Sequence, residues 1–100
     1  MIYHKLVRDK IPEHIIKMGG MPITHIANDT EYWQKLKEKL SEEVAEFEKD
    51  ENIEELADVA EVIEAIIKYK RFSKEEIKKE QEKKAKERGK FDLKIILDES

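Results

Sequence analysis

From Trp33 onward the apolar residues Trp33, Leu36, Leu40, Val44 and Phe47 recur at steps of three and four. That spacing places them on one stripe of a helix. The polar run Lys49-Asp50-Glu51-Asn52 interrupts the stripe. A second one follows from Ile53 to about Tyr69, carrying Leu56, Val59, Ala60, Ile63, Ile66 and Ile67. Asp29 or Thr30 is suited to cap the first helix. Two amphipathic helices joined by so short a polar turn predict an antiparallel hairpin.

The flanks are less regular. Pro12 fits the first position of a short helix over Glu13–Met18, which Gly19-Gly20 ends. Met21–Ala27 reads as extended. Ser73, with Glu76 three residues on, forms the signature of a capping box for a third long helix, closed by Gly89. Only Ile77 and Ala85 offer that helix a core face, so it is peripheral or leans on a partner chain. In the tail, Phe91, Leu93, Ile95 and Leu97 alternate with Asp92, Lys94 and Asp98, as in a half-buried strand. Such a strand needs a neighbour: Met21–Ala27, the N-terminal segment or another subunit. The predicted fold is a single domain over residues 1–100, mostly α. It comprises an antiparallel helical hairpin, satellite helices and a short C-terminal strand. The apolar arcs are broader than a hairpin with one thin extra helix can cover, so an oligomer is expected, a homodimer or homotetramer joined through the helices of residues 30–70.

Composition narrows the function. Among 100 residues, 20 Lys and Arg against 24 Asp and Glu give a net charge of −4. That balance lacks the basic surplus which drives nucleic-acid binding. With no cysteine there is no disulfide, thiolate zinc site or thiol nucleophile. No apolar run approaches the ~20 residues of a membrane span, and the opening MIYHKLVRDK is too polar for a signal peptide. A cytoplasmic protein is the expectation, and the Lys- and Glu-heavy surface leans thermophilic. Gly19-Gly20 lacks the Gly-Lys of a phosphate-binding loop. The absence of Glu-x-x-His spacing argues against a ferritin-like di-iron bundle.

The unusual feature is a repeated acidic pattern, Glu42-Glu43-Val44-Ala45-Glu46 and then Glu54-Glu55-Leu56-Ala57-Asp58. At about 100° per residue, Glu43 borders the apolar stripe of its helix, with Glu46 one turn along. Glu55 falls inside the apolar arc between Val59, Val62 and Ile66, with Asp58 at its edge; Glu54 and Glu61 face water. Carboxylates inside such an arc are costly unless paired, protonated or hydrogen-bonded. The hairpin brings Glu43, Glu46, Glu55 and Asp58 to facing positions, where a multivalent cation would relieve their repulsion; all-oxygen ligation suits Mg²⁺ or Mn²⁺. Spacing alone leaves a second reading open. Acids are frequent enough for such patterns to arise as solvated faces, and Asn52 with Glu55 approximates a capping box.

The segment KLSEEVAEFEKDENIEELADVAEVIEAI resembles the core of the all-α nucleoside triphosphate pyrophosphohydrolases, the MazG and phosphoribosyl-ATP pyrophosphohydrolase-like superfamily. The hallmark there is E-x-x-E followed on the next helix by E-x-x-D, matched here by Glu43 to Glu46 and Glu55 to Asp58. The flanks YHKLVRDKIPEHI and KKAKERGKFDLKIIL resemble a small MazG-like subgroup, so the likeness runs over essentially the whole chain. One departure is the eight residues between Glu46 and Glu55, which leave little room for a base-recognition loop. The resemblance implies hydrolysis of a nucleotide between its α and β phosphates, with Mg²⁺ held by Glu43, Glu46, Glu55 and Asp58. Glu43 or Glu46 would orient or deprotonate the attacking water. Lys5, Arg8, Asp9, Lys10 and Arg88 become candidate substrate-binding residues, the cations offsetting the charge of pyrophosphate. The competing expectation is a non-catalytic helical module that binds a nucleotide or a protein, its acids serving solubility.

Overall fold

The computed structural model describes residues 3–100, which form four helices: α1 (Ile11–Lys17), α2 (Asp29–Asp50), α3 (Ile53–Lys70) and α4 (Lys74–Arg88). The helical hairpin is α2 packed on α3, the one extensive helix–helix contact among the described residues. Each of its helices starts on an asparagine cap. Asn28 Oδ1 accepts from the backbone N–H of Glu31 at 2.9 Å, and Asn52 Oδ1 from that of Glu55, also at 2.9 Å. Asn28 thus takes the role predicted for Asp29 or Thr30, because its extended backbone aims the side chain at the open first turn.

The turn is tighter than the sequence suggests. α2 continues through Asp50, and Glu51 and Asn52 make the corner, Glu51 with φ 23° and ψ 45° and its N–H donating to the Phe47 carbonyl at 2.8 Å. At its other end α3 closes on Arg71 in the left-handed conformation. The Arg71 N–H donates to the Lys68 carbonyl and the Phe72 N–H to the Ile67 carbonyl, satisfying orphan carbonyls of the last turn.

The core is thin. Leu36 (1% exposed) and Val62 (8%) are the buried apolar residues, and Glu43 is buried with them. Beyond them an aromatic clasp holds the open end of the hairpin. Trp33 stacks on Tyr69 with centroids 5.4 Å apart, Tyr32 meets Tyr69 edge-on, and Lys70 lies 4.2 Å over the Trp33 ring. The Tyr69 hydroxyl donates to the Asp29 carbonyl at 3.3 Å.

Outside the hairpin the sequence expectations need correction. α1 begins at Ile11 and ends at Lys17 rather than spanning Glu13–Met18, with Pro12 in its first turn as expected. Ser73 caps α4 through the Glu76 N–H at 3.2 Å and Gly89 ends it, as predicted. The predicted C-terminal strand does not form: no strand occurs among the described residues, and Phe91 is 96% exposed. A strand requires a neighbour to complete its ladder, and among the described residues neither the 21–27 segment nor the N-terminal segment makes a backbone hydrogen bond to the tail. No helix among the described residues is long and apolar enough to cross a membrane.

Candidate functional site

Residues at similar distances from the Glu51 corner face each other across the hairpin. Glu43 therefore meets Asp58, and Glu46 meets Glu55. One ligand oxygen from each of Glu43, Glu55 and Asp58 lies within 4.8 Å of the others, and a second group of Glu46, Asp50 and Glu55 meets the same limit. Glu55 belongs to both groups and is their hinge. Its backbone N–H is consumed by the Asn52 cap, while its side chain joins the acids instead of returning a capping bond.

Crowding shows in its ionisation. Desolvation first, then the negative charges of Asp58, Glu46, Asp50 and Glu43, raise the Glu55 pKa from its ordinary value. The neighbours are compensated separately. Glu43 is 3.1 Å from Lys39, one helical turn earlier, and Asp58 accepts from Arg8 at 2.8 Å. Glu55 and Glu46 have no cation partner among the described residues.

The N-terminal segment explains how Arg8 arrives there. It crosses both helices of the hairpin, with Lys5 on Glu42 of α2 at 3.2 Å and Arg8 on Asp58 of α3. A shallow open groove runs between this segment and α2, lined by Tyr3, Lys5, Leu6, Lys35, Lys39 and Glu42. One end of the groove, at Lys39 and Glu42, borders Glu43 in the acidic cluster.

Of the residues singled out from sequence, the fold thus brings together Glu43, Glu55 and Asp58, with Glu46 adjoining through Glu55 and Arg8 through Asp58. Lys5 stands one residue away, on Glu42. Asp9 and Lys10 are exposed in the turn before α1, and Arg88 is exposed in the last turn of α4; none of the three makes an ion pair among the described residues. Asp50, Lys35 and Lys39 were missed. The polar run in the sequence puts Asp50 in the break between helices, yet α2 runs through it. Lys39 carried a usable signal, because it lies four residues before Glu43 and i,i+4 neighbours meet on a helix.

The donor set fits a small hard cation. All its ligands are oxygens, and octahedral bonds of about 2.0–2.1 Å put adjacent ligand oxygens roughly 3 Å apart and opposite ones roughly 4 Å apart. A modest closing of side chains already within 4.8 Å reaches that geometry.

Comparison with known proteins adds a partial likeness. The chain is 52% identical over 43 residues to an uncharacterized protein of Mycolicibacterium smegmatis, a stretch covering 43% of this chain and 44% of that protein's length. No protein-family model matches the chain, and no solved structure does.

Proposed function

We propose that the chain is a Mg²⁺-dependent nucleotide pyrophosphohydrolase that cleaves the α–β phosphoanhydride, releasing a monophosphate and pyrophosphate. The observation that carries this reading is the meeting of Glu43, Glu55 and Asp58 from two helices, with the Arg8 guanidinium 2.8 Å from Asp58. The sequence likeness to MazG-like enzymes points the same way and implies Mg²⁺ as the cation, with Mn²⁺ as substitute. The setting is a cytoplasmic homo-oligomer acting on small nucleotides.

Glu43, Glu55 and Asp58 would hold the cation. Once bound, it supplies neutralisation of phosphate oxygens and acidification of water. Glu46 is outside that triad and solvent-exposed, which leaves it free to take the proton from the attacking water as the P–O bond to pyrophosphate breaks. Arg8 can exchange Asp58 for a phosphate oxygen with bidentate geometry. Lys5, Lys35 and Lys39 line the groove in which further phosphate charge is offset. Lys10 and Arg88 stay candidates for substrate contact, and Asp9 for support of the metal, if the flanking segments close over the site.

The test is incubation of purified protein with Mg²⁺ and a nucleotide panel, with identification of products. Monophosphate plus pyrophosphate is expected, lost in Glu55→Ala and strongly reduced in Glu46→Gln. No turnover by the wild type, or full turnover by Glu55→Ala, defeats the reading. The ion pairs Lys39–Glu43 and Arg8–Asp58 favour a second one, in which the acids are already compensated and the chain is a non-catalytic nucleotide- or protein-binding module. Melting with and without Mg²⁺ separates the two, because a cation held by the folded state raises the midpoint.

A further inference from the structure

Residues 3–10 form neither helix nor strand, yet they lie across both helices of the hairpin. Among the described residues no backbone hydrogen bond ties this segment to α2 or α3. Its anchors are side chains. Lys5 meets Glu42 at 3.2 Å, Arg8 meets Asp58 at 2.8 Å, and half-buried Leu6 lines the groove beside α2 between them. The far end is fixed, because the Arg8 carbonyl accepts from the Ile11 N–H at 3.0 Å in the turn that opens α1. The Arg8 side chain is 58% exposed and that of Asp58 40%, and ion pairs so open to water are weak and readily exchanged.

The two cations at the acidic cluster are held very differently. Glu43 has Lys39 at 3.1 Å, a residue of α2 itself, so that ammonium moves no farther than its own side chain allows. Asp58 has Arg8, carried by a segment that can lift away as a whole. A divalent cation entering among Glu43, Glu55 and Asp58 competes with the guanidinium for the same negative charge, and two cations at such range repel. The partner held by side chains alone is the one free to yield.

We propose that residues 3–10 are an electrostatic strap: in the metal-free chain Arg8 stands in for the cation at Asp58, and cation binding drives Arg8 off and lifts the strap from the groove. This device presupposes, as proposed above, that Glu43, Glu55 and Asp58 are the cation's ligands. It makes the metal a gate, because the guanidinium becomes available to an anionic substrate only once the cation is in place. Coupling of this kind is reciprocal. A cation that favours the lifted strap must bind more tightly when the Arg8 charge is removed.

Two measurements on the full chain, with metal alone, test the strap. Mn²⁺ affinity is read from the electron paramagnetic resonance of the free ion. Arg8→Gln is expected to bind about two- to fivefold more tightly than wild type, the factor an exposed ion pair is worth. Lys10→Gln, which removes an equal charge from an exposed side chain two residues away, is expected to bind as wild type does. Leu6→Cys adds a single thiol to a chain that has no cysteine, and Mg²⁺ is too hard a cation to seek it. Its alkylation is expected to speed up severalfold when Mg²⁺ replaces EDTA, and to be fast already in EDTA when Arg8→Gln is combined with it. Mn²⁺ binding with unchanged thiol reactivity overturns the strap and leaves the cation site standing, as does an Arg8→Gln chain that binds no more tightly than Lys10→Gln. No Mn²⁺ binding by either wild type or Arg8→Gln defeats the cation site itself, and the strap with it.

Discussion

Replacing Lys39 with Met probes how the acidic cluster is tolerated before any cation binds. Met keeps much of the aliphatic stem and removes only the charge, so Glu43, nine-tenths buried, loses the ammonium 3.1 Å away while Glu55 and Asp58 remain beside it. An exposed i,i+4 pair contributes about 0.3–0.5 kcal/mol, whereas stripping the partner from a fully buried charge costs about 3–5 kcal/mol. Side-chain exposures of 21% for Lys39 and 11% for Glu43 place this pair between the limits. A loss of about 1–2 kcal/mol is expected, which for a domain of this size lowers the melting midpoint by roughly 5–15 °C. The assay is thermal melting by circular dichroism in EDTA and again in millimolar Mg²⁺, at fixed protein concentration. Lys39→Met should melt below wild type in EDTA and gain more than wild type from Mg²⁺, because the added cation replaces the missing ammonium. Equal midpoints in EDTA would show that Glu43 does not depend on Lys39. An unchanged gap on adding Mg²⁺ would show that the cation does not enter this cluster.

Three further outcomes are expected. Leu36→Ala, at the most buried side chain of the hairpin, should cost about 3 kcal/mol in urea unfolding; a loss under 1 kcal/mol would mean the α2–α3 contact is not the core. Arg71→Gly should raise stability by about 1 kcal/mol, since Arg71 holds φ 58° at the end of α3 and glycine adopts that conformation without a Cβ clash. Glu55 keeps its proton in the folded chain at pH values where the unfolded chain has released it. Metal-free stability should therefore fall as pH rises from the ordinary carboxylate range through the raised folded-state pKa, then level off. Glu55→Gln should flatten that part of a pH series of urea midpoints, and an unchanged slope would refute the assignment.

The hairpin was legible in the sequence because its signals are local: three- and four-residue periodicity, an asparagine cap and a four-residue polar break. The convergence of Glu43, Glu55 and Asp58 was legible for the same reason, since a short turn leaves little choice of register. The reach of Arg8 to Asp58, fifty positions on, was not, because it depends on how an irregular segment crosses two helices. Arg71 as a left-handed closure carried no signal, since glycine or asparagine usually marks that position. The tail misled through its alternation. Phe91, Leu93, Ile95 and Leu97 have the periodicity of a strand, but periodicity says only which side chains share a face and supplies no neighbouring chain to accept the backbone hydrogen bonds.

The two faces of α3 bear on each other through energy rather than contact. At about 100° per residue, Glu55 and Asp58 centre roughly 120° around the helix from the stripe at Leu56 and Ile63. Gathering carboxylates on the inner face destabilises the hairpin, and among the described residues that face offers Leu36 and Val62 as its buried apolar packing. Leu56 and Ile63 on the outer stripe are 52% and 44% exposed, so the hairpin has little apolar burial with which to offset that repulsion. Glu55→Gln, which removes the charge shared by both acidic groups, should accordingly raise the urea midpoint of the metal-free chain at neutral pH, and an unchanged midpoint would show that the crowding of carboxylates costs the fold nothing.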